Sequence, residues 1–148
     1  MKVSEAMTRD VQIARPDMTI REVAEMMAAI DAGVLPVADG DALVGMITDR
    51  DIAIRAVAMG KGIDTPVREV MTAEVKYCFD DQDLEEVTSN MAHIQVRRLP
   101  VVNRDKRLVG IISLGDIAFT GGDGVASTAL AGVSRPGGEH TQTGSPRS

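Results

Sequence analysis

Apolar residues recur along this chain with two different periods, and the periods alternate in the same order twice. Ile20, Val23, Ala24, Met27 and Ala28 fall on one face of a helical wheel, which predicts an amphipathic helix. Thr19-Ile20-Arg21-Glu22 ahead of them reads as a capping box. There the Thr hydroxyl takes an amide of the first turn and the Glu reaches back. Gly33 is placed to stop that helix. Residues 34–38 and 43–48 then read as strands, with Asp39-Gly40-Asp41 as the turn between them. A turn this short predicts an antiparallel hairpin. Residues 51–59 read as a second helix, halted by Gly60 and Gly62. Ahead of all this lie a helical turn at residues 3–7 and a short strand at 11–14, closed by Pro16.

The same order returns about 64 residues later. Val3, Glu5, Met7, Thr8 and Val11 correspond to Val67, Glu69, Met71, Thr72 and Val75. Leu35-Pro36-Val37 corresponds to Leu99-Pro100-Val101. From Leu43 onward the offset is 65, so the second copy carries one extra residue in the turn before Leu108, where a length change is tolerated. The second copy is expected to have a strand at 75–79 and a capping box over Asp83 to Glu86. A helix stripe of Leu84, Val87, Met91 and Ile94, a hairpin of 96–102 with 108–113, and a last helix from Asp116 follow. Each copy is thus β-α-β-β-α, too small to cover both faces of its sheet alone. The expected fold is α+β, two repeats packed sheet to sheet with pseudo-two-fold symmetry. The boundaries are 1–64, 65–120 and a flexible tail over 121–148, where Gly, Ser, Thr and Pro dominate.

Composition narrows the function. Aromatics are 2% of the residues and the formal charge is −6, with no basic stripe, which argues against nucleic-acid binding. No apolar run approaches the ~20 residues of a membrane span. The N-terminus lacks the apolar core of a signal peptide, and the single Cys78 fits a reducing compartment, so a soluble cytoplasmic protein is expected. Cys78 lies in an apolar strand and reads as an inert core thiol. Asp80-Asp81 and Glu85-Glu86 read as solvated acids. His93 and His140 are isolated, so no metal set and no nucleophile-base pair is apparent, and an enzyme is not expected.

One corner is built twice. Leu43-Val44-Gly45-Met46-Ile47-Thr48-Asp49-Arg50-Asp51 returns as Leu108-Val109-Gly110-Ile111-Ile112-Ser113-Leu114-Gly115-Asp116. It keeps its glycine, its hydroxyl and its acid. The repeat order, the Leu-Pro-Val strand and Gly-x-x-[Thr/Ser]-x-x-Asp entering the last helix resemble the cystathionine-β-synthase (CBS) domain family over roughly residues 3–120. The whole resembles a stand-alone tandem pair, a Bateman module. The resemblance implies a homodimer and an adenosine ligand (AMP, ADP, ATP, NAD or S-adenosylmethionine) in clefts between the copies. It implies a regulatory role, with no resident cofactor.

Under that resemblance, Asp51 and Asp116 would accept hydrogen bonds from a ribose diol, as an acid does in dinucleotide folds. Thr48 and Ser113 would add a hydroxyl where helix amides face a phosphate. Arg50 stands beside the first acid, and its counterpart is Gly115, so the two clefts are expected to differ in charge. Arg97 and Arg98 occupy the place of Gly33 and Val34. The family places phosphate-reaching bases there, and strand alternation lets at most one of the two face a given cleft. Leu35, Pro36, Leu99 and Pro100 would line the adenine pocket. Ile13 and Tyr77 sit on the strand that edges the base. Each feature has a plainer reading: hydroxyl-x-x-acid before an apolar helix is also a cap that needs no ligand. An interaction scaffold with vestigial clefts is therefore the alternative function.

Overall fold

The computed structural model describes residues 1–120, 141–142 and 145–146. Along the chain run α1 (Val3–Ala6), α2 (Ile20–Ile30), β1 (Val34–Asp39), β2 (Ala42–Thr48), α3 (Asp49–Asp51), β3 (Cys78–Phe79), α4 (Leu84–Ile94), β4 (Arg98–Val102), β5 (Leu108–Ser113) and α5 (Leu114–Thr120). A π-helical stretch, Ile52–Val57, continues α3, and a 3-10 turn, Val67–Glu69, opens the second repeat. Thr141–Gln142 (β6) and Ser145–Pro146 (β7) form a two-residue antiparallel ladder. The rest of the tail expected to be flexible lies outside the described residues. The architecture is mixed α and β with two small sheets, one for each repeat, as the pattern predicts.

The first compact unit comprises Gln12–Val75 with Lys106–Leu108. β1 and β2 form the expected hairpin, Leu35 opposite Ile47 and Val37 opposite Gly45. The Thr19 box is formed in full, with the Glu22 amide donating to Thr19 Oγ1 at 3.1 Å and the Thr19 amide to Glu22 Oε1 at 3.1 Å. Ile20, Val23 and Met27 face the core, while Ala24 and Ala28 are exposed, so the buried stripe is narrower than expected. The strand expected at 11–14 shrinks to a single parallel bridge, Ala14 to Val37. The second helix is not one α-helix over 51–59 but a short α-turn followed by π winding.

The second unit comprises Met1–Val11, Lys76–Asp105 and Val109 onward. Its sheet has the order β3-β4-β5, with Cys78 parallel to Val101. Leu84, Val87 and Met91 of α4 are buried against Leu99, Val101, Ile112 and Ile117. The capping box expected at Asp83 is not formed. The Glu86 carboxylate accepts Gln82 Nε2 at 2.9 Å, and the Met1 carbonyl takes the first-turn amide of Leu84 at 2.8 Å. Nor is Asp81 merely solvated: it holds Arg104 through a bidentate pair, Nη2 to Oδ1 at 2.8 Å and Nε to Oδ2 at 2.9 Å.

Sequence repeats and compact units divide the chain differently at the lead-in segments. Val3, Ala6 and Met7 open the first repeat yet pack in the second unit's core, whereas Val67, Val70 and Met71, which open the second repeat, pack in the first unit's. Backbone pairing explains this. Thr8 exchanges amide and carbonyl with Ile111 at 2.9 and 3.0 Å, and Thr72 does the same with Met46 at 2.9 Å each. Each hairpin's second strand thereby acquires a neighbour that satisfies its outer polar groups.

Glycines mark these junctions. A Cβ on Gly110 would lie 2.7 Å from the Thr8 carbonyl oxygen, and one on Gly45 would lie 2.9 Å from that of Thr72. Gly33 does not end α2. The left-handed residues there and at the end of α4 are Asp31 (φ 52°) and Gln95 (φ 58°). Gly33 is small because Asp49 is pressed against it, with a Cβ 2.8 Å from Oδ2.

Candidate functional site

The two corners fold alike. At the end of β2, Thr48 Oγ1 accepts the Asp51 amide at 3.0 Å, and Asp51 Oδ2 accepts the Thr48 amide at 3.0 Å. At the end of β5, Ser113 Oγ accepts the Asp116 amide at 3.2 Å, and Asp116 Oδ2 accepts the Ser113 amide at 3.1 Å. Each strand's preceding partner clasps the helix start. The Gly33 carbonyl takes the Asp49 amide at 2.9 Å, and the Arg97 carbonyl takes the Leu114 amide at 3.0 Å. The capping reading of the motif is thus realised in both repeats. A cap of this kind contributes about 0.5–2 kcal/mol.

Capping leaves part of each acid for other work. A carboxylate oxygen has two lone pairs, so one amide does not exhaust it. The outer oxygens are held differently. Asp51 Oδ1 lies 3.8 Å from Arg55 Nε, and Asp116 Oδ1 lies 3.5 Å from the donating hydroxyl of Thr8. Sequence reading missed Arg55 and Thr8. Arg55 was legible as a charge four residues beyond the acid, a spacing that brings helical side chains together. Thr8 lies 108 positions from Asp116 and had no sequence signal.

The remaining expected residues are distributed as follows. Leu35, Pro36, Leu99 and Pro100 are buried, and Leu35 and Leu99 belong to the two hydrophobic cores. Ile13 is half-buried, Arg50 and Arg98 are exposed, and Arg97 is half-buried. Arg97 Nε is the one fully buried side-chain nitrogen or oxygen among the described residues that has no hydrogen-bond partner. Leaving such a donor unsatisfied costs about 1–3 kcal/mol. Arg97 stands in the place of Gly33, just ahead of β4.

Tyr77 is exposed and meets Phe79 edge to face at 5.7 Å. The Arg104 guanidinium lies 4.0 Å from the Phe79 ring centre, held there by Asp81. The hydrogen bond from Arg104 holds the Asp81 carboxyl below its usual range. Tyr77 thus borders an ordered aromatic and ionic cluster of its own unit.

Between these two aromatics Cys78 points into the core. Burial, and secondarily the Asp80 charge, push its thiol up to about 12. Native Cys78 is therefore expected to resist iodoacetamide at pH 8 and to react on unfolding, which a labelling time course checks. Because the folded value is raised, the folded chain keeps a proton that the unfolded chain sheds. Its contribution is full below the thiol's ordinary value of 9.0 and declines as pH rises toward about 12. Cys78→Ala is expected to abolish that alkaline slope.

No group of three or more His, Cys, Asp or Glu residues able to hold a metal ion occurs among the described residues. No described helix is long and apolar enough to cross a membrane.

Comparison with known proteins places this duplicated corner. The chain is 43% identical over 116 residues to the CBS domain-containing protein YhcV of Bacillus subtilis, covering 78% of this chain and 82% of YhcV. Among solved structures it is similar to Hypoxic Response Protein I with two coordinated zinc ions (TM-score 0.73, 34% identity, 81% of this chain and 98% of that one). It is also similar to CBSX2 in complex with AMP (TM-score 0.71, 25% identity, 81% and 95%). A third is the CBS domain pair of protein MJ0100 with 5-methylthioadenosine and S-adenosyl-L-methionine (TM-score 0.71, 29% identity, 82% and 100%). The CBS domain model itself matches residues 3–57 and again 67–120. A duplicated strand-to-helix corner, two small sheets and two separate matches in register make this chain a member of the CBS domain family, carrying two CBS domains.

Proposed function

We propose that this chain is a regulatory module that binds an adenosine nucleotide and breaks no bond. The ligand acts by its different affinity for two arrangements of the protein. The observation that carries this reading is the acid placed twice in the same cap; in this reading Asp51 and Asp116 accept from a ribose diol. Thr48 and Ser113 stand beside the helix amides that suit a phosphate. Arg50 serves the first repeat, and Arg97, with its unsatisfied Nε, serves the second. Leu35, Pro36, Leu99, Pro100, Ile13 and Tyr77 are the apolar and aromatic candidates for the base. The AMP of CBSX2 and the methylthioadenosine of MJ0100 support the ligand class. In this reading the chain acts as a homodimer in the cytoplasm, where its buried unpaired thiol fits the reducing conditions.

A thermal-shift panel of AMP, ADP, ATP, NAD and S-adenosylmethionine tests this. A ligand at a hundred times its Kd adds about 2.7 kcal/mol. For a chain of this size that raises Tm by roughly 5–10 °C. A second reading, an interaction scaffold, is favoured by the completeness of both caps from the chain's own groups, which gives each acid a structural role. It would be upheld if no compound in the panel moved the transition.

A further inference from the structure

We propose that Met71 is a site of reversible oxidation by peroxides, and that its sulfoxide loosens the second repeat's lead-in from β2. Met7 and Met71 hold equivalent places in the two lead-ins, and each lays its sulfur on a glycine of a hairpin strand. A Cβ on Gly110 would lie 2.8 Å from Met7 Sδ, and one on Gly45 would lie 2.6 Å from Met71 Sδ. Each thioether thus fills the room that its glycine leaves. Exposure separates the twins. Met7 is buried, at 9% exposed, whereas Met71 is half-buried and packs against the first core. A water-borne oxidant therefore reaches Met71 more readily than Met7.

The step needs a peroxide and nothing else. A sulfur lone pair attacks one peroxide oxygen, and the S–O bond forms as the O–O bond breaks. The proton of the transferred hydroxyl passes to the departing hydroxide, which leaves as water. Sulfur is oxidised by two electrons and the peroxide is reduced by the same two.

The product no longer suits its place. A thioether is a flexible apolar filler, but a sulfoxide is polar and its oxygen seeks water. With Gly45 against the sulfur, the added oxygen is solvated by swinging the side chain outward. The lead-in then loses the contact that presses it on β2. Thr72, the next residue, exchanges amide and carbonyl with Met46 of β2 at 2.9 Å each. The Met71 carbonyl accepts Arg55 Nη1 at 3.4 Å, and Arg55 Nε lies 3.8 Å from Asp51 Oδ1. Release at Met71 thus loosens backbone pairing two residues ahead of Thr48 and frees the arginine beside Asp51. The matching pair in the second unit, Thr8 with Ile111, is guarded by the buried Met7.

The test treats the full chain with hydrogen peroxide and locates sulfoxides by peptide mass spectrometry. Met59, at 71% exposed, gauges the dose. Hydrogen exchange is then followed at the Met46 and Thr72 amides and at the Thr8 and Ile111 amides. Met71 is expected to oxidise while Met7 stays a thioether. Exchange at Met46 and Thr72 should rise about tenfold or more, exchange at Thr8 and Ile111 should hold, and Tm should fall by roughly 3–8 °C. Methionine sulfoxide reductases with a dithiol should restore the slow exchange. Met71→Leu conserves volume and should keep slow exchange through the same dose, although Met18, Met26 and Met46 remain oxidisable. Met59→Leu should respond as the unsubstituted chain does. A Met71 thioether that survives full oxidation of Met59 overturns the proposal. So does a Met71 sulfoxide that leaves exchange at Met46 and Thr72 unchanged, or that speeds Thr8 and Ile111 equally. If Met71→Leu folds poorly, the reductase reversal on the unsubstituted chain decides: loosening that persists after Met71 is reduced also overturns it.

Discussion

Gly110→Ala is expected to lower the stability of the chain by about 2–3 kcal/mol, and Gly45→Ala by a similar amount. The new methyl on Gly110 would meet the Thr8 carbonyl oxygen at 2.7 Å and Met7 Sδ at 2.8 Å. A flexible thioether can yield, but the carbonyl cannot, because it accepts the Ile111 amide at 3.0 Å. Relief requires the lead-in to lift off β5, which loses two backbone hydrogen bonds and draws Val3, Ala6 and Met7 out of the second core. At Gly45 the same conflict arises with Thr72 and Met71 of the first unit. Gly62→Ala is the control: nothing lies within 4 Å of its Cβ position, and the change should stay within about 0.5 kcal/mol. Chemical denaturation of the three variants measures the difference. Equal behaviour of Gly110→Ala and Gly62→Ala would mean that the lead-in is not held as described.

Asparagine at position 51 or 116 is expected to spare stability and remove ligand binding at the substituted repeat. The amide oxygen of Asn can still accept the Thr48 or Ser113 amide, so the cap persists and stability changes by less than about 0.5 kcal/mol. Its nitrogen, however, is a donor in the place of the outer oxygen, and the negative charge is gone. A ribose diol then loses at least one charge-assisted hydrogen bond, which weakens binding at that repeat by roughly tenfold to a hundredfold. Alanine should do both kinds of damage, costing about 0.5–2 kcal/mol of capping as well as the ligand. Denaturation and calorimetry on the Asn and Ala pair separate the two roles of one carboxylate. Unchanged binding in both Asn variants would reduce these acids to caps.

Much of this molecule was legible because duplication doubles every local signal. The hairpin of β1 and β2, the Thr19 box and the Thr48 and Ser113 corners all depend on residues a few positions apart. What failed to show was long-range. The strand at 11–14 has the right alternation, but Ala14 alone finds a partner in Val37, so local pattern overstated it. Asp83 and Glu86 have capping-box spacing, but the Glu86 carboxylate is taken by Gln82 Nε2, and Asp83 makes no side-chain cap bond. Gly33 looked like a helix stop. Its smallness answers to the Asp49 carboxylate, sixteen residues on, while Asp31 takes the left-handed turn. The lead-ins crossed to the other compact unit for a reason no window contains: the sheet edge that fits Thr8 is at Ile111. At the corner itself, the cap was readable and the cation at Arg55 was within helical reach, yet the hydroxyl from Thr8 came from the far end of the chain.

The chemistry claimed for the corner can be put to the ligand instead of the protein. AMP and its 2′,3′-dideoxy counterpart share base and phosphate and differ only in the hydroxyls assigned to Asp51 and Asp116. Calorimetric titration of the unsubstituted chain should show AMP binding and the dideoxy compound binding about a hundredfold more weakly. Equal affinity for the two would contradict the assignment, since the carboxylates would then have no part in holding the sugar.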